Sequence, residues 1–218
     1  MKNLIFILTL SFLSFTSFSQ EIDAVLSATK NRLDAIQSID ADVKIDIDVP
    51  HIQMPTKSAK LHYKKDKPTK LESKDFLMVP RKGLDFTLES LFKFPFITAD
   101  RGLVEVDGIS CRQINVIPTD SRSDFAIALL TIDTKNHRIL KSEVSTKKEG
   151  SYQTVMAYAN EEAIVPSAIE VNFEMDKLRI PLSFMGKNIE VDKKALKESG
   201  EIEGKIFIKI SNPEVQFN

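Results

Sequence analysis

Ala41-Asp42-Val43-Lys44-Ile45-Asp46-Ile47-Asp48-Val49 alternates apolar and charged residues without a break. An extended chain points successive side chains to opposite faces, so this stretch predicts a strand with one apolar face and one charged face. Asp40, Asp42, Asp46 and Asp48 then belong to the outer, solvated face, away from any cleft in which paired carboxylates could do acid–base work. Ala59, Leu61 and Tyr63 against Lys60, His62 and Lys64 repeat the pattern, and Pro50 and Pro55 bracket a connection from His51 to Met54. The runs at 41–49 and 57–65 therefore read as neighbouring antiparallel strands.

Upstream the period changes. Ile22, Val25, Leu26, Leu33 and Ile36 recur at helical spacing, predicting an amphipathic helix from Glu21 to Ile39. Before it stands Met1 to Ser19, with Lys2 as a basic start, an apolar run from Leu4 to Phe15, and Ser17 and Ser19 as the small residues that precede a signal-peptidase cut. The apolar run is short of the roughly 20 residues needed to cross a bilayer. The expectation is a signal peptide over 1–19, cleaved after Ser19, and one domain over 20–218 exported to the periplasm. A lipid anchor would need a Cys directly after the cut, and the chain's single Cys is Cys111.

Downstream, short strands are predicted at Thr69–Ser73, Phe76–Val79, Leu103–Val106, Arg112–Ile117, Asp124–Ile132, Arg138–Thr146, Ser151–Ala159, Ala168–Phe173 and Lys205–Ile210. Turn chemistry separates them, as at Asp107-Gly108 and Glu149-Gly150. Two short helices interrupt the series: Phe86 to Phe94, capped by Asp85 and stopped by Pro95, and Lys193 to Ser199, capped by Asp192 and ended by Gly200. A helix, a long meander of alternating strands and small helical insertions define a mainly β, α+β fold. It is a strongly curved antiparallel sheet, an incomplete barrel with helices on its concave side.

Composition narrows the function. Lys+Arg 30 against Asp+Glu 31 leaves a net charge of −1, which gives nucleic acid no electrostatic footprint. A lone cysteine rules out an internal disulfide and reads as a buried small hydrophobe. His51, His62 and His137 are far apart, no HExxH or paired cysteines occur, and His51 with Met54 is a weak copper pair against an ordinary surface loop. Neither a GxSxG elbow nor a phosphate-binding glycine loop is present. The expectation is a monomer that is not an enzyme and holds no cofactor or metal.

The apolar side says more. The chain has 14 Phe, 3 Tyr and no Trp. Core packing accounts for such residues in general, but a single curved sheet of this size is hard to fill with its own side chains, and large β cages enclose ligand cavities. Alternation assigns Val43, Ile45, Ile47, Leu61, Tyr63, Leu71, Phe76 and Met78 to the sheet side of such a cavity. Leu88, Leu91, Phe92 and Phe94 fall on a covering segment, Phe86 to Phe96, expected to act as a lid.

The order of amphipathic helix, strand 41–49, strand 57–65 and then Lys65-Asp66-Lys67-Pro68-Thr69-Lys70-Leu71 resembles the start of the LolA/LolB-type outer-membrane lipoprotein carrier family. The segment from Gly108 to Tyr158 is also similar to that family, with Val116-Ile117-Pro118, Leu129-Leu130-Thr131-Ile132-Asp133 and Glu149-Gly150-Ser151-Tyr152 at equivalent places. The resemblance implies a periplasmic carrier or chaperone whose lidded cavity receives the acyl chains of lipoproteins, or another lipid, with inner- and outer-membrane lipoprotein-transport proteins as partners. It places Lys67 where the carrier member has an Arg, whose bidentate geometry Lys cannot reproduce. With no lipid-attachment Cys, the chain matches the soluble shuttle. An RseB-like sensor or a cell-envelope protein-interaction domain on the same scaffold is the alternative.

Overall fold

The alternating stretch is the middle of a longer strand. In the computed structural model, which describes residues 23–73, 89–148, 150–175, 189–198, 200 and 202–218, strand β1 spans Ile36–Asp48. The helix before it, α1 (Ala24–Asp34), is five residues shorter at its end than the 3.6 period predicts. Asp23 caps its start, accepting hydrogen bonds from the backbone N–H of Val25 and Leu26. Its end is set by tertiary pairing: Ile36 pairs with Phe217, and the Asn218 N–H donates to the Ala35 carbonyl. Ile36 and Ile39 are fully buried as strand residues, so sheet pairing overrides a helical spacing that both could have served.

Strand β2 (Ile52–Gln53) lies in the connection that the prolines bracket, followed by β3 (Lys57–Lys64) and β4 (Lys70–Glu72). Helix α2 (Glu89–Phe92) leads into β5 (Phe96–Val106), β6 (Ile109–Pro118), β7 (Phe125–Asp133), β8 (Arg138–Thr146), β9 (Ser151–Ala157) and β10 (Ala168–Met175). Then come β11 (Glu190–Val191), α3 (Lys193–Glu198) and β12 (Ile202–Phe217). Asp192 caps α3 as predicted, accepting from the N–H groups of Lys194 and Ala195. The predicted signal peptide 1–19, the strand Phe76–Val79 and the capping Asp85 lie outside the described residues.

Ten strands form one antiparallel sheet in the order β4-β3-β1-β12-β10-β9-β8-β7-β6-β5, and β2 pairs with β11 in a second, two-stranded sheet. The large sheet is curved and not closed into a barrel. β1 and β3 pair antiparallel from Ser38↔Lys64 to Ile45↔Lys57, as neighbours, which the two alternating runs predict. The inward faces carry one apolar core, to which α1 contributes Leu26 and α2 contributes Leu91, so both helices sit on the concave side. A smaller cluster of Val49, Ile52 and Ile202 closes one end, with Leu196 of α3 packed against it.

Two strands are much longer than predicted. β12 continues past Ile210 because its register on β1 shifts between Asp40 and Asp42, where Asn212 adopts φ 51 beside Pro213. A bulge removes the need for a ladder N–H at the proline and lets the strand resume. β5 begins at Phe96, seven residues before the predicted start, and its bulge between Asp100 and Gly102 (φ 91) hid the continuity.

Candidate functional site

The concave face is built from cross-strand rows, each position brought inward by the pleat. One row runs Ile45–Ile208–Ile169–Met156 across β1, β12, β10 and β9. The next crosses seven strands from β1 to β6: Ile47, Ile206, Val171, Thr154, Ser142, Leu130 and Ile114. A third brings Gly204, Phe173, Tyr152, Val144 and Ala128 into line. A Cβ on Gly204 would meet the Phe173 ring at 2.5 Å and Val49 at 2.8 Å, so only glycine lets that ring lie over β12 and join the main core to the end cluster.

The predicted lining residues fall on this face unevenly. Val43, Ile45, Leu61 and Tyr63 are all buried in the main core, and Ile47 and Leu71 pack half-buried against it. Leu91 of α2 is only 2% exposed, a core residue as much as a cover. Phe92 packs half-buried on the same core, its ring centroid 5.6 Å from that of Phe96. Phe96 is the first residue of β5, so the expected covering segment cannot run that far: past Pro95 the chain is already sheet. Phe94 is half-buried between two cations, Lys93 at 5.5 Å and Arg122 at 5.4 Å from its ring centre. Phe76, Met78 and Leu88 lie outside the described residues.

Sequence reasoning missed most of the floor. Met156, Ile169, Val171, Ile206 and Ile208 are inward and at most 6% exposed, and they were legible as the apolar partners of alternating runs in β9, β10 and β12. Ser142 and Thr154 were not. They face each other directly in register at the middle of the seven-strand row, 1% and 5% exposed.

Two charged assemblies hold α1 over this face. At its start, Arg112 of β6 forms an ion pair with Asp23 at 2.9 Å and donates to Asp100 of β5 at 2.7 Å. At its end, Arg32 donates to the carbonyls of Asn136 at 2.6 Å and of Glu162 and Ala163, both at 3.1 Å. Beneath these loops lies a buried ion pair, Arg138 with Asp133 at 3.1 Å, the guanidinium stacked 4.7 Å from the Tyr158 ring centre. Burial alone would raise the Asp133 pKa, but hydrogen bonds from Asn136, Arg138 and the Lys135 N–H outweigh it and hold the carboxyl below its ordinary range. Burial pushes the Tyr158 phenol up, and its hydroxyl donates to the Ile139 carbonyl.

The outer face is solvated. Asp40, Asp46 and Asp48 are exposed and Asp42 half-buried; His62 engages Asp40, Thr56 engages Asp46 and Lys60 engages Asp42. Cys111 is fully buried, and its thiol pKa is raised by burial and by the Asp133 charge, so it stays protonated. Lys67 is exposed in the turn after β3, where its N–H donates to the Lys64 carbonyl.

An open, curved antiparallel sheet with helices on an apolar concave face is a fold shared with solved structures. A domain described as an outer membrane lipoprotein-sorting protein domain, from Vibrio parahaemolyticus, superposes with a TM-score of 0.54 at 11% identity, covering 88% of this chain and 91% of that one. A DUF1329 family protein from Desulfovibrio piger gives 0.51 at 11% identity over 88% and 90%. A LolA superfamily protein from Nitrosomonas europaea gives 0.48 at 12% identity over 88% and 94%. The first two likenesses define the fold. No family model matches the sequence, and no curated protein matches it significantly.

Proposed function

We propose that the protein is a non-enzymatic periplasmic carrier that binds lipid acyl chains, those of lipoproteins foremost, against the concave face of its sheet. The observation that carries this reading is the face itself: largely aliphatic rows cross the sheet from β1 to β6, and α1 and α2 pack on the same core. Burying an acyl chain of about fifteen CH₂ groups at about 0.8 kcal/mol each is worth on the order of 12 kcal/mol before ordering costs, enough to hold a lipid without a covalent bond or a charged anchor. Val43, Ile45, Ile47, Leu61, Tyr63 and Leu71 supply the β1–β3–β4 wall in this reading, and Leu91 and Phe92 the cover. The likeness to a lipoprotein-sorting domain supports the same class of ligand, and the signal-like start of the chain supports an envelope location.

The test is mass spectrometry of lipids extracted from the purified protein, together with displacement of a fluorescent fatty-acid probe. Co-purified acyl lipids and saturable probe binding are expected. Failure to bind any acyl ligand removes the carrier reading.

A further inference from the structure

We propose that Ser142 and Thr154 form a polar seat on the aliphatic floor that hydrogen-bonds a carbonyl oxygen of the bound lipid, an acyl ester or a carboxylic acid. The inference rests on the acyl-binding reading and makes it chemically specific. In the row from Ile47 on β1 to Ile114 on β6, every position is aliphatic except these two adjacent ones. They are directly opposed residues of an antiparallel pair, so their Cβ atoms lie about 5 Å apart and both hydroxyls leave the same face. Around them stand Leu130, Val171, Val144 and Met156, none more than 4% exposed.

The Ser142 Oγ is buried and has no hydrogen-bond partner. A buried hydroxyl without a partner is a net cost to the fold, one that alanine in the same place would not carry. Elsewhere on this face the buried hydroxyl is satisfied internally: Thr29 of α1 donates back to the Val25 carbonyl at 2.8 Å. A strand residue has no such i−4 carbonyl to turn to, and the opposed Thr154 gives Ser142 Oγ no hydrogen bond either, so its position is open to a partner from a ligand. A ligand that lays its chain along the aliphatic rows and carries a carbonyl within its length offers one: the hydroxyls donate, the carbonyl oxygen accepts, and the alkyl chain takes the place of the apolar groups that bury these neighbours in the free protein. A plain alkane would leave the hydroxyl unpaired.

The test compares methyl decanoate, decanoic acid and dodecane as competitors of a fluorescent fatty-acid probe on delipidated protein, in the wild type and in Ser142→Ala/Thr154→Val. The double variant is expected to bind dodecane at least as well as the wild type. Its preference for the ester or the acid over dodecane should fall about fivefold, the loss of one net hydrogen bond; whichever competitor shows the fall identifies the source of the carbonyl. Unchanged preference for both overturns the seat while leaving acyl binding intact, whereas failure of all three competitors on the wild type overturns acyl binding itself. Thermal unfolding of Ser142→Ala without lipid supplies a second readout. An unchanged or raised midpoint is expected of a hydroxyl with nothing to lose, and a midpoint lowered by several degrees would show a structural bond and overturn the proposal.

Discussion

The two corners at which the chain folds over the concave face are held by different forces. At the β7–β8 corner, Asp133 accepts four hydrogen bonds, Arg138 is sandwiched between it and Tyr158, and Arg32 ties α1 to two separate loops. At the α2–β5 corner, Leu91, Phe92 and Phe96 make apolar contacts, Thr119 donates to the Pro95 carbonyl, and Phe94 sits between the two cations at the surface. The first is directional and desolvated, where charge-assisted bonds are strong and breaking one partner is costly. The second is mainly apolar, with the Thr119–Pro95 hydrogen bonds as its polar tie. The difference teaches that one side of the apolar face answers to the loss of charge and the other to the loss of side-chain volume.

The contrast breaks most visibly at Asp133. Asp133→Ala leaves Arg138 charged, buried and unpaired, and should cost about 3–5 kcal/mol in urea unfolding. The same pair sets an acid sensitivity. Because the folded Asp133 pKa lies below its unfolded value, the stability it contributes is fully present above about pH 4 and is lost as pH falls through the depressed folded value. Asp133→Asn should flatten that acid slope.

Next in size, Leu91→Ala should cost about 2–4 kcal/mol as a core truncation and also weaken binding of the fatty-acid probe. Phe94→Ala, which removes no core contact, should change stability by about 1 kcal/mol or less. Equal costs at Leu91 and Phe94 would erase the distinction between core and rim within α2's neighbourhood. Arg32→Ala should speed amide exchange at the C-terminal turn of α1 more than at α2, since it removes three carbonyl contacts from the first and none from the second.

The smallest effect is at Asp120, whose carboxyl accepts from the Arg122 guanidinium and backbone N–H and is pushed down to about 2. Its stabilisation is present above about pH 4 and fades toward that value, and Arg122→Ala should raise the carboxyl's NMR titration midpoint part of the way back toward about 4, because the backbone N–H of residue 122 still donates to it.

How much of this was legible depends on which force decided each element. β1 and β3 were readable because one face is apolar and the other charged, so pattern and environment agree. α1 was read too long because Ile36 satisfies a 3.6 period and a 2 period equally well, and pairing with the far C-terminal end of β12 chose between them. Phe96 was misassigned to the covering segment for a related reason: the bulge at Asp100–Gly102 breaks the alternation of β5, leaving Phe and Ile beside a proline as the dominant local signal. Ser142 and Thr154 each look unremarkable in their own strands. Only the β8–β9 register sets them side by side amid aliphatic neighbours, and register is a tertiary property.

The central claim, that acyl chains lie against the concave face, is tested most directly with a photoreactive fatty acid carrying a diazirine near the chain end, irradiated on the protein and mapped by peptide mass spectrometry. Labelling is expected on inward residues of β1, β3 and β10, such as Ile45, Leu61 and Val171, competed away by unlabelled palmitate. Saturable, competed labelling confined to outward positions such as Val155 and Phe207 would contradict it.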